Sequence, residues 1–140
     1  MHDKKKKVLF ICTHNSARSQ MAEGLINALY GNRYEAYSAG TEPSQVNPFA
    51  VKVMMKIGID ISKYRSKGLK EFQDTKIDYV VTVCDRAKGA CPFVPGASKY
   101  IHQSFADPSE FNGTEDEILA KVRQVRNEIR KWIEETFSKK

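Results

Sequence analysis

At 140 residues, 41% of them hydrophobic, the chain is the right length for one globular domain, residues 1–140, with its own core. No apolar run exceeds about six residues, against the roughly 20 that cross a bilayer, and Met1 to Lys7 lacks the apolar segment of a signal peptide, so no membrane partner and a cytoplasmic location are expected. Much of the net charge of +6 sits at the ends, in Lys4 to Lys7 and in Lys139 and Lys140, which suits solvated termini and the steering of small anions better than nucleic-acid binding; three cysteines, an odd count, argue against a secreted disulfide framework.

Val8 to Ile11 form a short, continuously apolar run, the pattern of a strand buried on both faces of a parallel sheet. Cys12 then falls at the strand's carboxyl end, where open α/β sheets place their ligands. Thr13, His14, Asn15, Ser16 and Ala17 are small or polar, so the backbone can curl into a nest of N–H groups, and Met21-Ala22 with Leu25-Ile26 and Leu29 follow at helical spacing. Loop amides, the helix end and the Arg18 guanidinium should together lower the pKa of Cys12. Arg18 can hold two oxygens of a tetrahedral anion with its planar fork. Ser19 can donate its hydroxyl to the thiolate, and Asn15 tolerates left-handed backbone while its amide braces the loop. No glycine lies between Ile11 and Gly24, which excludes the Gly-rich nucleotide loop ending in Lys-Ser/Thr. The stretch Cys12 to Ser19 resembles the anion loop of the low-molecular-weight protein tyrosine phosphatases and of the arsenate reductases built on the same fold.

Tyr34 to Thr41 alternates and ends in a glycine turn, predicting a second strand. Pro48 opens a helix whose buried stripe is Ala50, Val51, Met54, Met55 and Ile57, closed by Gly58. Residues 59–72 are polar and irregular, with room for a short helix. Ile77 to Val83 is the third strand and it too stops at a cysteine, Cys84, which puts two thiols at one edge of the sheet. Asp85 to Ala97, with Cys91, Pro92 and Pro95, reads as a mobile excursion, and Lys99 to His102 as a short fourth strand. Thr114 to Glu117 is a capping box for a last helix with Ile118, Val122, Val125, Ile129 and Ile133 facing the core and Trp132 beside them. Lys121, Arg123, Arg126, Arg130 and Lys131 read as its solvated face. Four strands alternating with helices predict an α/β fold, a four-stranded parallel sheet flanked by helices on both faces, of the phosphotyrosine protein phosphatase I-like kind.

A phosphatase needs one cysteine, whereas this chain spaces three as if for a relay. Cys12 would attack arsenic(V) while an oxygen leaves. Cys84 would then attack the Cys12 sulfur, expelling arsenite with both bonding electrons. Cys91 would attack Cys84, moving the disulfide to Cys84–Cys91 and freeing Cys12 for another cycle. A rigid helix would hold residues 84 and 91 about 10 Å apart, beyond the reach of about 7 Å between Cα atoms that a disulfide needs, so this segment is expected to change conformation on oxidation.

The resemblance thus narrows to the thioredoxin-coupled arsenate reductases and covers nearly the whole chain, through Cys12 to Ser19, Ser38 to Thr41, Val81 to Cys84 with Cys91-Pro92, and His102 to Pro108. It implies Asp107 as the general acid, arsenate as substrate, thioredoxin as reductant, a monomer, and no cofactor or metal. Family members typically carry Trp-Gly-Phe-Asp after the histidine, where this chain has Gln103-Ser104-Phe105-Ala106. Members that bind potassium beside the loop use an Asn, a Glu, a Ser and a Thr-Ser-Asp segment. Asn15, Glu23 and Ser38 match, but the last segment is Arg65-Ser66-Lys67, so the Lys67 ammonium is expected to replace the ion and brace Asn15 through Glu23. The alternative is a low-molecular-weight tyrosine phosphatase. Those enzymes usually place aromatic residues after Asp-Pro, where Ser109-Glu110 stand here, although weak phosphatase activity is compatible with either reading. A zinc module of Cys12, Cys84, Cys91 and His102 lacks any Cys-x-x-Cys pair, and a non-catalytic redox sensor is the remaining use of the three thiols.

Overall fold

The apolar run that ends at Cys12 lies at the centre of a parallel sheet. The computed structural model describes residues 5–83 and 97–138. Strand β1 (Lys6–Cys12) runs between β2 (Tyr34–Gly40) and β3 (Tyr79–Thr82), and β4 (Lys99–His102) lies outside β3, every pairing parallel. Val8, Phe10 and Cys12 point to one face and Leu9 and Ile11 to the other. All five are at most 2% exposed, so the strand is covered on both sides. Burying side chains of this size stabilises the fold by about 1.5–3 kcal/mol each.

Strand β1 is longer than its apolar run because Lys6 and Lys7 pair with Tyr34 and Glu35 through main-chain groups, which need no apolar side chain. Strand β3 is shorter than the 77–83 expected. There the Asp78 carboxylate accepts the Lys7 N–H at 2.8 Å, a side chain taking the place of a ladder carbonyl. At the other end the line continues past the strand, since Val83 N donates to Ile11 O at 2.9 Å.

Among the described residues three helices pack around this sheet: α1 (Arg18–Tyr30), α2 (Pro48–Met55) and α3 (Glu115–Phe137). Helix α2 starts where Asn47 accepts from Phe49 N and Ala50 N, with Pro48 behind it, and unwinds at Gly58, whose φ of +80° is left-handed. Helix α3 starts at the expected capping box, Thr114 and Glu117 exchanging side-chain and backbone bonds. Its stripe of Val122, Val125, Ile129, Ile133 and Phe137 is buried. The Phe137 ring lies 6.4 Å from that of Phe10, while on the opposite face Tyr37, register partner of Leu9, meets Phe72 of a 3-10 turn (Leu69–Phe72) at 5.4 Å.

One basic residue of α3 is not on the solvated face. Arg126 is only 7% exposed, and its Nη1 donates to Val53 O in the last turn of α2 at 2.7 Å. It follows Val125 directly, so it lies at the border of the apolar stripe, and the negative end of α2 draws its guanidinium inward.

Candidate active site

Cys12 ends β1 with 2% of its surface exposed, and the chain turns there because β2 comes unusually near. A Cβ on Gly40 would lie 2.7 Å from Thr13 O and 2.8 Å from Asn15 N, so only glycine lets the two backbones approach this closely. Beyond Gly40 the chain keeps pairing with the loop: Thr41 N donates to Cys12 O, Glu42 N to Thr13 O, Ser44 N to His14 O and Asn47 N to Ser16 O, at 2.7–3.2 Å. With those carbonyls engaged on the outside, the loop's N–H groups can converge on an anion at the start of α1.

Asn15 sits at φ +49°, the left-handed conformation its residue type tolerates. Its Oδ1 accepts from Gln20 Nε2 and from Lys67 N, both at 2.9 Å, and its Nδ2 donates to Ser19 Oγ at 2.8 Å. Ser19 Oγ lies 2.9 Å from Cys12 Sγ. Since Asn15 supplies a donor to the Ser19 oxygen, the hydroxyl hydrogen is left for the sulfur, and the chain Asn15 to Ser19 to Cys12 delivers a hydrogen bond suited to a thiolate.

Arg18, the first residue of α1, reaches across the loop to the segment after β4. Its Nη1 donates to Phe105 O at 3.3 Å and its Nη2 lies 3.3 Å from Asp107 Oδ2. The other oxygen of Asp107 accepts from Ser109 N at 3.0 Å and from Ser109 Oγ at 2.8 Å. Between them is a pocket of about 90 Å3, lined on one side by Cys12, His14, Ser16, Ala17 and Arg18 and on the other by Ser44, Asn47, Asp107 and Ser109. The volume suits a tetrahedral oxyanion, and among the described residues its wall contains no aromatic ring other than the imidazole of His14. The His14 Nδ1 donates to Glu42 O at 3.0 Å. Thr13, Asn15 and Ser19 stand behind the pocket and hold its shape.

Lys67 lies beside the loop, but it reaches Asn15 by a different route from the one expected. The contact is made by the Lys67 main-chain N–H, while the ammonium points away, 3.6 Å from Glu23 Oε1, 3.4 Å from Ser38 Oγ and 3.2 Å from Arg65 O. Ser38 Oγ in turn donates to Glu23 Oε1. Burial pushes the Glu23 carboxyl above its ordinary pKa, opposed by the Ser38 hydroxyl and the Lys67 charge. The ammonium thus sits among the oxygen atoms of Glu23, Ser38 and Arg65.

Several supporting residues carry no strong signal in the sequence. Gln20 is fully buried and its Nε2 faces Asn15 O, Asn15 Oδ1 and Arg65 O at 2.9–3.0 Å, tying α1, the loop and residue 65 together. Ser44, Asn47 and Ser109 are common loop residues that matter only because the fold brings them to the pocket. A Ser two places after Asp, across a proline, is nevertheless the pattern of an aspartate-capped turn and could have been read as such. Thr82 Oγ1 and His102 Nδ1, register partners on β3 and β4, lie 2.7 Å apart. Cys84 and Cys91 lie outside the described residues.

Residues 7–140 match the family model for low molecular weight phosphotyrosine protein phosphatase. An arsenate reductase from Halalkalibacterium halodurans is 46% identical over 134 residues, 96% of each chain. Among solved structures, an arsenate reductase in its oxidized state superposes with a TM-score of 0.81 at 30% identity over 95% of this chain and 97% of the other. A thioredoxin-dependent arsenate reductase from Corynebacterium glutamicum superposes with a TM-score of 0.63 at 29% identity, over 97% of this chain and 65% of that one. The chain belongs to the low molecular weight phosphotyrosine protein phosphatase family.

Proposed function

We propose that this protein reduces arsenate to arsenite through Cys12, Cys84 and Cys91, and that a thioredoxin regenerates it in the cytoplasm. The observation that carries the reading is the bond from Val83 N to Ile11 O at 2.9 Å. The residue before Cys84 is paired with the residue before Cys12, and Cys12 itself lines a pocket sized for an oxyanion. Relatives at 40–46% identity that are named arsenate reductase support the choice of anion.

In this mechanism the Cys12 thiolate, hydrogen-bonded by Ser19, attacks arsenic while Arg18 and the loop amides hold the remaining oxygens. Asp107 protonates the departing oxygen, which leaves as water, and an S–As(V) adduct remains. The Cys84 thiolate attacks the Cys12 sulfur. The S–As bond breaks with its electron pair going to arsenic, so arsenic is reduced to arsenite as the two sulfurs are oxidised to a disulfide. Cys91 then attacks Cys84, expels the Cys12 thiolate, and leaves a Cys84–Cys91 disulfide for the reductant's dithiol. One chain supplies all three thiols, so the scheme needs nothing from a second subunit and a monomer suffices.

A phosphatase reading rests on the same loop, because phosphate and arsenate share shape and charge. Among the described residues, the small polar wall of Ser44, Asn47 and Ser109 offers an aryl ester no aromatic surface, so weak hydrolysis is the expected remnant. Arsenate-dependent NADPH oxidation with thioredoxin and its reductase, run beside aryl phosphate hydrolysis, separates the two. Turnover with arsenate that disappears in Cys84→Ser supports reduction; efficient ester hydrolysis that survives Cys84→Ser, with no arsenate turnover, supports the phosphatase.

A further inference from the structure

Helices α2 and α3 leave a groove of about 470 Å3 between them, at the opposite end of α2 from the Asn47 cap that borders the oxyanion pocket. Val51, Val53 and Leu119 give it an apolar floor, and Met55 at its side is 50% exposed. Around that floor stand four cations, Lys52, Lys56, Arg123 and Arg126. Lys52 has a carboxylate partner, Glu115 at 3.3 Å, but among the described residues no ion pair involves Lys56, Arg123 or Arg126. Arg126 is the extreme case. It is 7% exposed, and its three donating nitrogens meet only neutral oxygens, Val53 O at 2.7 Å and Asn127 Oδ1 at 2.8–3.0 Å. Its pKa is pulled below that of an ordinary arginine, by burial first and then by the like charges of Arg123 and Arg130.

An apolar surface ringed by under-compensated cations is complementary to a molecule that is apolar along its body and negative at one end. The groove falls in the size range of small-ligand sites, about 300–1,000 Å3. A docked partner helix fits less well, because α2 has only eight residues, about 12 Å, and so offers little more than two turns of continuous wall. We propose that the α2/α3 groove is a binding site for a small amphiphilic organic anion, a single hydrocarbon body ending in a carboxylate, with the body on Leu119 and Met55 and the carboxylate among the rim cations.

The test is a titration of the full chain followed by backbone amide NMR, in phosphate buffer so that the oxyanion pocket is occupied throughout, with decanoate and decan-1-ol as probes. Decanoate is expected to shift the amides of Val51 to Lys56 and Leu119 to Arg126 saturably, with the alcohol at least about tenfold weaker, because a favourable charge interaction near a protein surface is of that order. The double variant K56E/R123E, altering two exposed side chains, should weaken decanoate about tenfold and leave the phosphate affinity unchanged. Shifts that do not saturate, shifts centred elsewhere, equal affinity for acid and alcohol, or an unaltered decanoate affinity in the double variant would each overturn the site. Should the variant not fold, the comparison of acid with alcohol on the wild-type chain decides alone.

Discussion

Arg18 Nη2 and Asp107 Oδ2 face each other at 3.3 Å across the mouth of the oxyanion pocket. The guanidinium that would receive the substrate is therefore in contact with the carboxyl group proposed to protonate the departing oxygen. An arriving dianion would share Arg18 with Asp107 and so lie beside the carboxyl group that the first step uses. Ser109 holds the other oxygen in place with two hydrogen bonds. Asp107→Asn keeps the shape but cannot give up a proton, and should lower kcat for arsenate by about 10²–10³. Ser109→Ala removes one of the two supports and should cost about tenfold or less. Phosphate affinity, read by calorimetry, should change little in the serine variant, so that its loss appears in kcat.

The Ser19 hydroxyl is directed at the Cys12 sulfur because Asn15 Nδ2 donates to the same oxygen. Ser19→Ala deletes a hydrogen bond to a group that reacts as an anion, a loss of about 1.5–3 kcal/mol. Alkylation of Cys12 by iodoacetamide near neutral pH should slow by about tenfold or more. An unchanged rate would mean that the loop amides and Arg18 alone activate the thiol.

How much of this was legible before the structure depends on the kind of signal each residue leaves. The continuous apolar run of β1, the capping box at Thr114 and the stripe of α3 follow from patterns of two or three neighbouring turns or pleats, and they appear where expected. Cys12 to Ser19 was readable because its chemistry is concentrated in consecutive residues. Lys67 and Gln20 act through contacts made by the fold, over sequence separations that composition cannot show, whereas the bonds from Ser109 to Asp107 are local. Lys67 lies beside the expected acid, Glu23, yet its link to Asn15 runs through the main chain, which no side-chain pattern encodes. Arg126 departs from the expected solvated face for the related reason that charge predicts exposure only where no helix end lies nearby to receive it.

Lys67 and Glu23 are almost buried together, with side chains 12% and 14% exposed. Lys67→Met leaves the carboxylate without its cation and should destabilise the fold by about 3 kcal/mol near neutral pH. The sign of the pH dependence follows from Glu23. A carboxyl whose folded pKa is raised contributes stability that is present below its unfolded value and is lost as pH rises through the folded value. Removing the ammonium raises that folded value further, so the gap in Tm between wild type and variant should widen as pH increases from acid toward neutral. Because the ammonium already sits among the oxygen atoms of Glu23, Ser38 and Arg65, added potassium should leave the wild-type Tm and turnover unchanged relative to a salt of a larger monovalent cation. A clear potassium dependence of the wild type would contradict this account of the site.

Gly40 marks the closest approach of β2 to the loop. Gly40→Ala would bring a methyl group against Thr13 O and Asn15 N, two backbone atoms that cannot swing aside. Overpacking of this kind costs about 1–3 kcal/mol, and the upper end is expected here. Thermal unfolding should register the loss, and phosphate binding should weaken with it because the distortion falls on the loop. Normal stability with normal phosphate affinity would show that the approach is looser than the distances imply.

The most direct test of the sulfur relay is to map disulfides after a single exposure to arsenate. Fully reduced protein is mixed with arsenate in the absence of any reductase, quenched by alkylation, and its peptides are weighed. The account predicts a Cys84–Cys91 disulfide with Cys12 alkylated in the wild type, a Cys12–Cys84 disulfide in Cys91→Ser, and one arsenite released per chain in each. All three thiols alkylated and no arsenite formed, or an arsenate-driven disulfide that forms without Cys12, would contradict it.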